Sequence, residues 1–301
     1  MKRTITYIIL GLSLVSCAKW NGTEAVQLNP VQFWDRNPEL WADYMEALRD
    51  YRDTQHFIYY ARFDNAPETA VNEQSSLRSL PDSLDIVTLT NADNFCAADR
   101  EDMAVMHDKG IKVLYQIDLA GRLEEFSDDA ALDSYVDATI AKVKEYGLDG
   151  WSFTTVRGMD PAVSGKHARI IAKLSEARTF GQLIVSEGDP KYITADGIKQ
   201  LDYIVLPTEH LENTFDVRLC TLEAESQDIP AGKILLAASV DGILADEEKV
   251  EHNAVTEMNM RVVSFGPFAG LAIHDLAHDY YHQSGNYLTV RDAIQALNPS
   301  K

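Results

Sequence analysis

The sequence predicts an α/β fold, a (β/α)8 TIM barrel, and three observations predict it. From Phe57 onward short β-rich runs alternate with helical stretches, giving eight strand-plus-helix units. Gly110, Gly147 and Gly181 each fall between a helical stretch and the next β-rich run, where a helix C-terminal cap is expected. No early strand is followed by a Gly-rich phosphate loop, which weighs against the alternative of a doubly wound open sheet. A length of 301 residues fits one large barrel or two smaller domains. With no internal linker, repeat or low-complexity segment, one barrel domain over 30–301 with an N-terminal helical extension is the simpler reading.

Taken in order, residues 1–17 form a targeting segment. Lys2 and Arg3 are a basic start, and Ile5 to Val15 form an apolar stretch too short to span a bilayer comfortably. Leu14-Val15-Ser16-Cys17 resembles a bacterial lipobox, which makes Cys17 the lipidated first residue of a mature lipoprotein, tethered to a membrane without a spanning helix. The alternative is a plain secretory signal with a chance cysteine. Residues 18–29 are polar and read as a tether. From Pro30 to Arg52, Phe33, Leu40, Trp41, Tyr44, Met45 and Leu48 recur at helical spacing, so this stretch forms one or two helices packed on the outside or bottom of the domain.

The eight predicted strands are 57–63, 85–90, 112–118, 149–156, 182–188, 202–208, 233–239 and 270–276. Helical stretches between them include REDMAVMHDKG (100–110), DAALDSYVDATIAKVKEYG (129–147), SGKHARIIAKLSEARTFG (164–181) and EEKVEHNAVTEMNM (247–260), and YLTVRDAIQAL (287–297) closes the chain.

Composition narrows the partners. A formal net charge of −20 argues against nucleic acid and anionic membrane surfaces, whose phosphates require clustered Lys and Arg. A neutral ligand such as a glycan stays allowed. Beyond Cys17 the remaining cysteines, Cys96 and Cys220, are read as buried thiols, with pairing left open. No cysteine and histidine cluster has zinc-site spacing, and no cofactor motif is present.

In a barrel of this class the site lies at the C-terminal strand ends and the loops after them. That rule selects Arg62, Asp64 and Asn65; Thr90, Asn91 and Asn94; Tyr115, Gln116 and Asp118; Ser152, Thr154 and Arg157; Glu187 and Asp189; Glu209 and His210; Asp241; and His274 and Asp275. The best-placed ligand contacts are Tyr115, Asp118, Glu187, Glu209, His274 and Asp275. Trp151 is a possible sugar platform, but inside a strand it is more often core.

The fourth strand carries a motif. Its residues, LDGWSFTTV (148–156), resemble the signature of glycoside hydrolase family 18, the chitinases and endo-β-N-acetylglucosaminidases, which reads Asp-Gly-x-Asp-x-Asp-x-Glu. Asp149 and Gly150 match, whereas the other three positions hold Ser152, Thr154 and Val156. The resemblance implies a barrel over about 55–295 and a site for N-acetylglucosamine-containing glycans. It also implies a mechanism in which the substrate's N-acetyl oxygen is the nucleophile and the final Glu the general acid. Val156 cannot donate a proton, and Ser152 and Thr154 supply no carboxylate. Loss of a general acid removes roughly 10²–10⁴-fold in rate.

The expectation is therefore a non-catalytic glycan-binding lipoprotein in the cell envelope, at the outer membrane. Two alternatives stay open. One is an active glycoside hydrolase using Glu187 and Glu209, or His210 or His274 with Asp275. The other is a structural subunit of an outer-membrane glycan-uptake complex, with a transporter as partner.

Overall fold

In the computed structural model, described for residues 36–65, 72–126, 128–156 and 161–299, eight parallel strands close into a barrel. The strands are β1 (Ile58–Phe63), β2 (Ile86–Leu89), β3 (Lys112–Ile117), β4 (Gly150–Thr154), β5 (Leu183–Glu187), β6 (Tyr203–Leu206), β7 (Ile234–Ser239) and β10 (Gly270–His274). They follow one another around the ring in sequence order, and β10 closes it against both β7 and β1. All eight predicted runs are the barrel strands. The helices are α1 (Pro38–Asp53), α2 (Ala97–Asp108), α3 (Asp129–Tyr146), α4 (Pro161–Ala177), α5 (Ala195–Gln200), α6 (Thr214–Glu225), α7 (Ala254–Ser264) and α8 (Leu288–Leu297).

Burial explains why the strands were readable. Inside the barrel Tyr60, Ile86, Leu114, Val185, Val205, Leu235, Ala237 and Ala272 form one apolar layer. The alternate residues, among them Tyr59, Val113, Tyr115, Trp151, Phe153, Ile184 and Leu271, join Leu132, Val136, Ile170 and Leu174 of the helices in the outer core. Strands buried on both faces read as near-continuous apolar runs.

Two details depart from the sequence expectation. A short hairpin, β8 (Ile243–Ala245) with β9 (Glu251–Asn253), was not anticipated. It takes the first residues of the stretch read as helical from 247, and α7 begins only at Ala254. The cause is Asn253, whose side chain accepts from the backbone N–H groups of Val255 and Thr256 and so caps the helix there.

The chain divides into two compact units, Met1–Tyr44 and Met45–Lys301. Of the first only residues 36–44 are described, and from Pro38 they are the opening turns of α1. The signal segment, Cys17, the tether, Phe33 and Arg157 lie outside the described residues. In the second unit Arg52 ties the end of α1 to the barrel's N-terminal rim, bonding Asp85 at 3.1 Å and the carbonyls of Asp82 and Leu84 at 2.7 Å. Cys96 and Cys220 are unpaired and half-buried, and burial pushes the Cys220 thiol up to about 11. Among the described residues no helix is long and apolar enough to cross a membrane.

Candidate functional site

The site grows from β4. Gly147 caps α3 in the left-handed conformation, and Asp149 then fixes the strand's entry. Its carboxylate accepts from the Val113 backbone at 3.0 Å, from Lys112 at 3.0 Å and from His107 at 3.2 Å. Gly150 has φ +137°, and a Cβ there would sit 2.1 Å from the Leu183 carbonyl oxygen. Asp149 and Gly150 are thus demanded by strand pairing at the N-terminal end of the barrel, and their presence reports on the fold rather than on catalysis.

The register sets which β4 side chains face inward. Ser152 pairs with Gln116 and Val185, and Thr154 pairs with Glu187. Ser152 is fully buried, its hydroxyl 2.7 Å from that of Thr88. Thr154 donates to Asp118 at 3.1 Å and accepts from the Ala120 N–H at 2.9 Å. Val156 lines the cavity above, and its N–H donates to Nε2 of the buried His167 at 3.0 Å. Nδ1 of that ring lies 3.2 Å from the Tyr192 carbonyl, so His167 spans the loops after β4 and β5. Burial lowers the His167 pKa, in keeping with a neutral ring that accepts at Nε2. Of the three motif positions, Thr154 and Val156 line the site with a hydroxyl and an isopropyl group, and Ser152 is a buried hydroxyl inside the barrel.

Carboxylates come instead from the next two strands. Glu187, 6% exposed, accepts at Oε1 from the Tyr60 hydroxyl and from the Gln116 amide, both at 2.9 Å, and its Oε2 lies 3.4 Å from Arg62 Nε. Glu209 follows β6. The preceding Thr208 fixes that turn by accepting from Ala237 N and donating to Ala237 O, each at 2.8 Å. Glu209 Oε1 is 3.8 Å from His274 Nδ1 and 3.4 Å from His210 Nε2. Burial pushes His274 down to about 4, against the pull of Glu209, so the ring is neutral at ordinary pH.

These groups surround a cavity of about 400 Å³ at the C-terminal end of the barrel. Arg62, Thr154, Val156, Glu187, Glu209, His210 and His274 line it, with Val205, Leu206 and Pro207 as an apolar wall. Three buried side-chain atoms of the lining residues have no hydrogen-bond partner among the described residues: Glu187 Oε2, Glu209 Oε2 and His274 Nε2. Buried polar atoms are rarely left so, and a polar ligand would satisfy them. Among the described residues no group of His, Cys, Asp and Glu is arranged to hold a metal ion.

Of the contacts expected from sequence, Glu187, Glu209 and His274 meet here, joined by Arg62, Thr154 and His210. Four others do not. Trp151 is 1% exposed and faces the helices in the outer core, because it stands one residue out of phase with inward Ser152. Tyr115, paired with Trp151, points the same way, and its hydroxyl donates to Asp93. Asp118 is spent on Thr154 and on the Gly121 N–H at 2.9 Å. Asp275 is exposed and accepts from Ser239 at 2.5 Å. Two residues that hold the cavity lining in place were not singled out by the sequence, Tyr60 behind Glu187 and His167 behind Val156. Tyr60 shares the inward phase of Arg62 two residues later, but both faces of β1 are buried and no alternation marks that phase in the sequence. His167 sits mid-helix, and nothing in the local sequence marks it.

Comparison with known proteins gives a consistent family signal. Residues 21–129 match the family model described as glycoside hydrolase family 18, BT1044-like. That match covers about a third of the chain and ends before β4, the strand where the family's acid is expected. Among solved structures, a Glu-to-Gln form of BT1044 superposes with a TM-score of 0.73 at 20% identity, covering 89% of this chain and 96% of that one. An endo-β-N-acetylglucosaminidase from Cordyceps militaris gives 0.64 at 17% identity, over 85% and 95% of the two chains. A chitinase from Bacteroides thetaiotaomicron gives 0.60 at 13% identity, over 81% and 97%. No curated protein sequence matches. At these identities the structures establish a shared barrel fold.

Proposed function

We propose that this glycoside hydrolase family 18-like barrel binds a glycan containing N-acetylglucosamine in the cavity at its C-terminal end and does not cleave it. The observation that carries the reading is the contrast on the cavity wall. Thr154 at the end of β4 and Val156 just after it line the cavity, Ser152 is buried beside Thr88, and none of the three can protonate a leaving oxygen, while the neighbouring strands offer buried polar atoms without partners. The first feature removes the family's acid chemistry. The second keeps what recognition of a polyhydroxylated ligand requires. The chitinase and the endo-β-N-acetylglucosaminidase among the structural relatives support the choice of glycan class.

Hydrolysis by Glu187 and Glu209 is the weaker reading. Glu187 accepts two hydrogen bonds and lies beside a guanidinium, the pattern of an acceptor held in place rather than of an acid with a proton to give. We propose further that Cys17 carries the lipid that tethers the chain to the outer membrane. The experiment for the main reading is calorimetric titration of the barrel with N-acetylchitooligosaccharides, together with an assay of new reducing ends. Saturable heat without new reducing ends is expected. A steady release of reducing ends removed by Glu187→Gln or Glu209→Gln would establish the hydrolase instead.

A further inference from the structure

We propose that Glu209 pairs with an ammonium group of the ligand, so that the cavity prefers a glucosamine unit with a free amine over its N-acetylated counterpart. This rests on the reading that the cavity holds a glycan. It goes further by assigning the chemistry of one unit.

The argument is a balance of charges and hydrogen-bond roles. Three carboxylates line the cavity, and two have obligate cations beside them. Glu187 has Arg62 at 3.4 Å, and Asp189 has Lys191 at 2.5 Å. Glu209, with its side chain only 13% exposed, has histidines alone within ion-pair distance among the described residues. His210 reaches it at 3.4 Å from an exposed side chain, and His274 lies at 3.8 Å. Burial keeps His274 uncharged down to about 4, so it does not neutralise Glu209. A largely buried carboxylate without a cation is costly, and a ligand cation at that point recovers the cost.

The unpartnered atoms agree with this independently. His274 is 7% exposed, and its Nδ1 stands 3.8 Å from Glu209, so its buried Nε2 is free to meet a polar group of the ligand. Glu209 Oε2 and Glu187 Oε2 are carboxylate oxygens, so two of the three unpartnered buried atoms of the cavity lining call for donors. An ammonium group brings three N–H donors and a positive charge. An acetamido group brings one N–H and a carbonyl that would face the same acceptors. A sugar carboxylate would meet Glu209 with like charge. The glycan that fits is a partly de-N-acetylated glucosamine polymer.

The test compares fully N-acetylated and fully de-N-acetylated glucosamine oligomers of equal length by calorimetry, at a pH where the amine is protonated and His274 is neutral. The de-N-acetylated oligomer is expected to bind about tenfold more tightly, equivalent to ~1.4 kcal/mol. Glu209→Gln should bring the ratio close to one. In the wild type the ratio should survive raised ionic strength, because a buried pair is screened far less than the chain's overall charge of −20. Equal affinity, or tighter binding of the acetylated oligomer, overturns this inference and leaves glycan binding intact. A preference that persists in Glu209→Gln or vanishes with salt also overturns it, by assigning the effect to general acidity. Binding of neither oligomer overturns the glycan reading together with this one.

Discussion

Glu187 shows how much of the cavity rests on single groups. Its Oε1 takes hydrogen bonds from Tyr60 and Gln116, and both donors are buried. Tyr60→Phe removes one donor and leaves a buried carboxylate short of a partner. The expected loss is about 1–3 kcal/mol of unfolding free energy by urea denaturation. His274 makes a different prediction, in pH. Burial lowers its pKa from 6.5 to about 4, so in that window the unfolded chain binds the proton more readily. Its contribution to stability is complete above about 6.5 and is lost as the pH falls through 4, roughly 3 kcal/mol in all. His167, also lowered by burial, acts in the same sense. His56 and His107, raised by hydrogen bonds to Asp85 and Asp149, act in the opposite sense and lose their contribution as the pH climbs. The melting temperature of His274→Gln should therefore fall less steeply between pH 7 and 4 than that of the wild type. Parallel curves would mean that His274 does not titrate as its burial requires.

At the scale of the element, β4 separates what a motif says about fold from what it says about chemistry. Asp149 and Gly150 persist because three donors and a close backbone approach need them. Gly150→Ala should cost on the order of 3 kcal/mol or more, because its Cβ would overlap the Leu183 carbonyl at a φ that L-residues rarely adopt. A melting temperature matching the wild type would refute that account. The same strand shows where sequence reading ends. All eight strands were legible, since each is a β-rich run set off by helical stretches. Which residues point inward was not, because both faces of a parallel barrel strand are apolar and no alternation marks the phase. Trp151 and Tyr115 were accordingly entertained as ligand contacts, although they belong to the outer core. Glu187, Glu209 and His274 were legible because the C-terminal strand ends supply the site, whatever the phase within the strand. The β8–β9 hairpin escaped notice because its strands are three residues each, too short for a periodic pattern to register.

For the molecule as a whole, a family 18-like barrel has a cavity at the C-terminal end of its strands, and β4 brings no carboxyl group to it. The proposal that Cys17 carries the membrane tether predicts that Cys17→Ser abolishes incorporation of radiolabelled palmitate and releases the protein from the membrane fraction. Incorporation that persists in that variant would reject the assignment. The central claim, binding without cleavage, is tested most directly by titrating the barrel with N-acetylglucosamine and glucosamine oligomers while following new reducing ends in the same samples. The prediction is saturable binding that weakens in Glu209→Ala, with reducing ends remaining at the level of the oligomer alone. Catalytic turnover of any of these oligomers would contradict it.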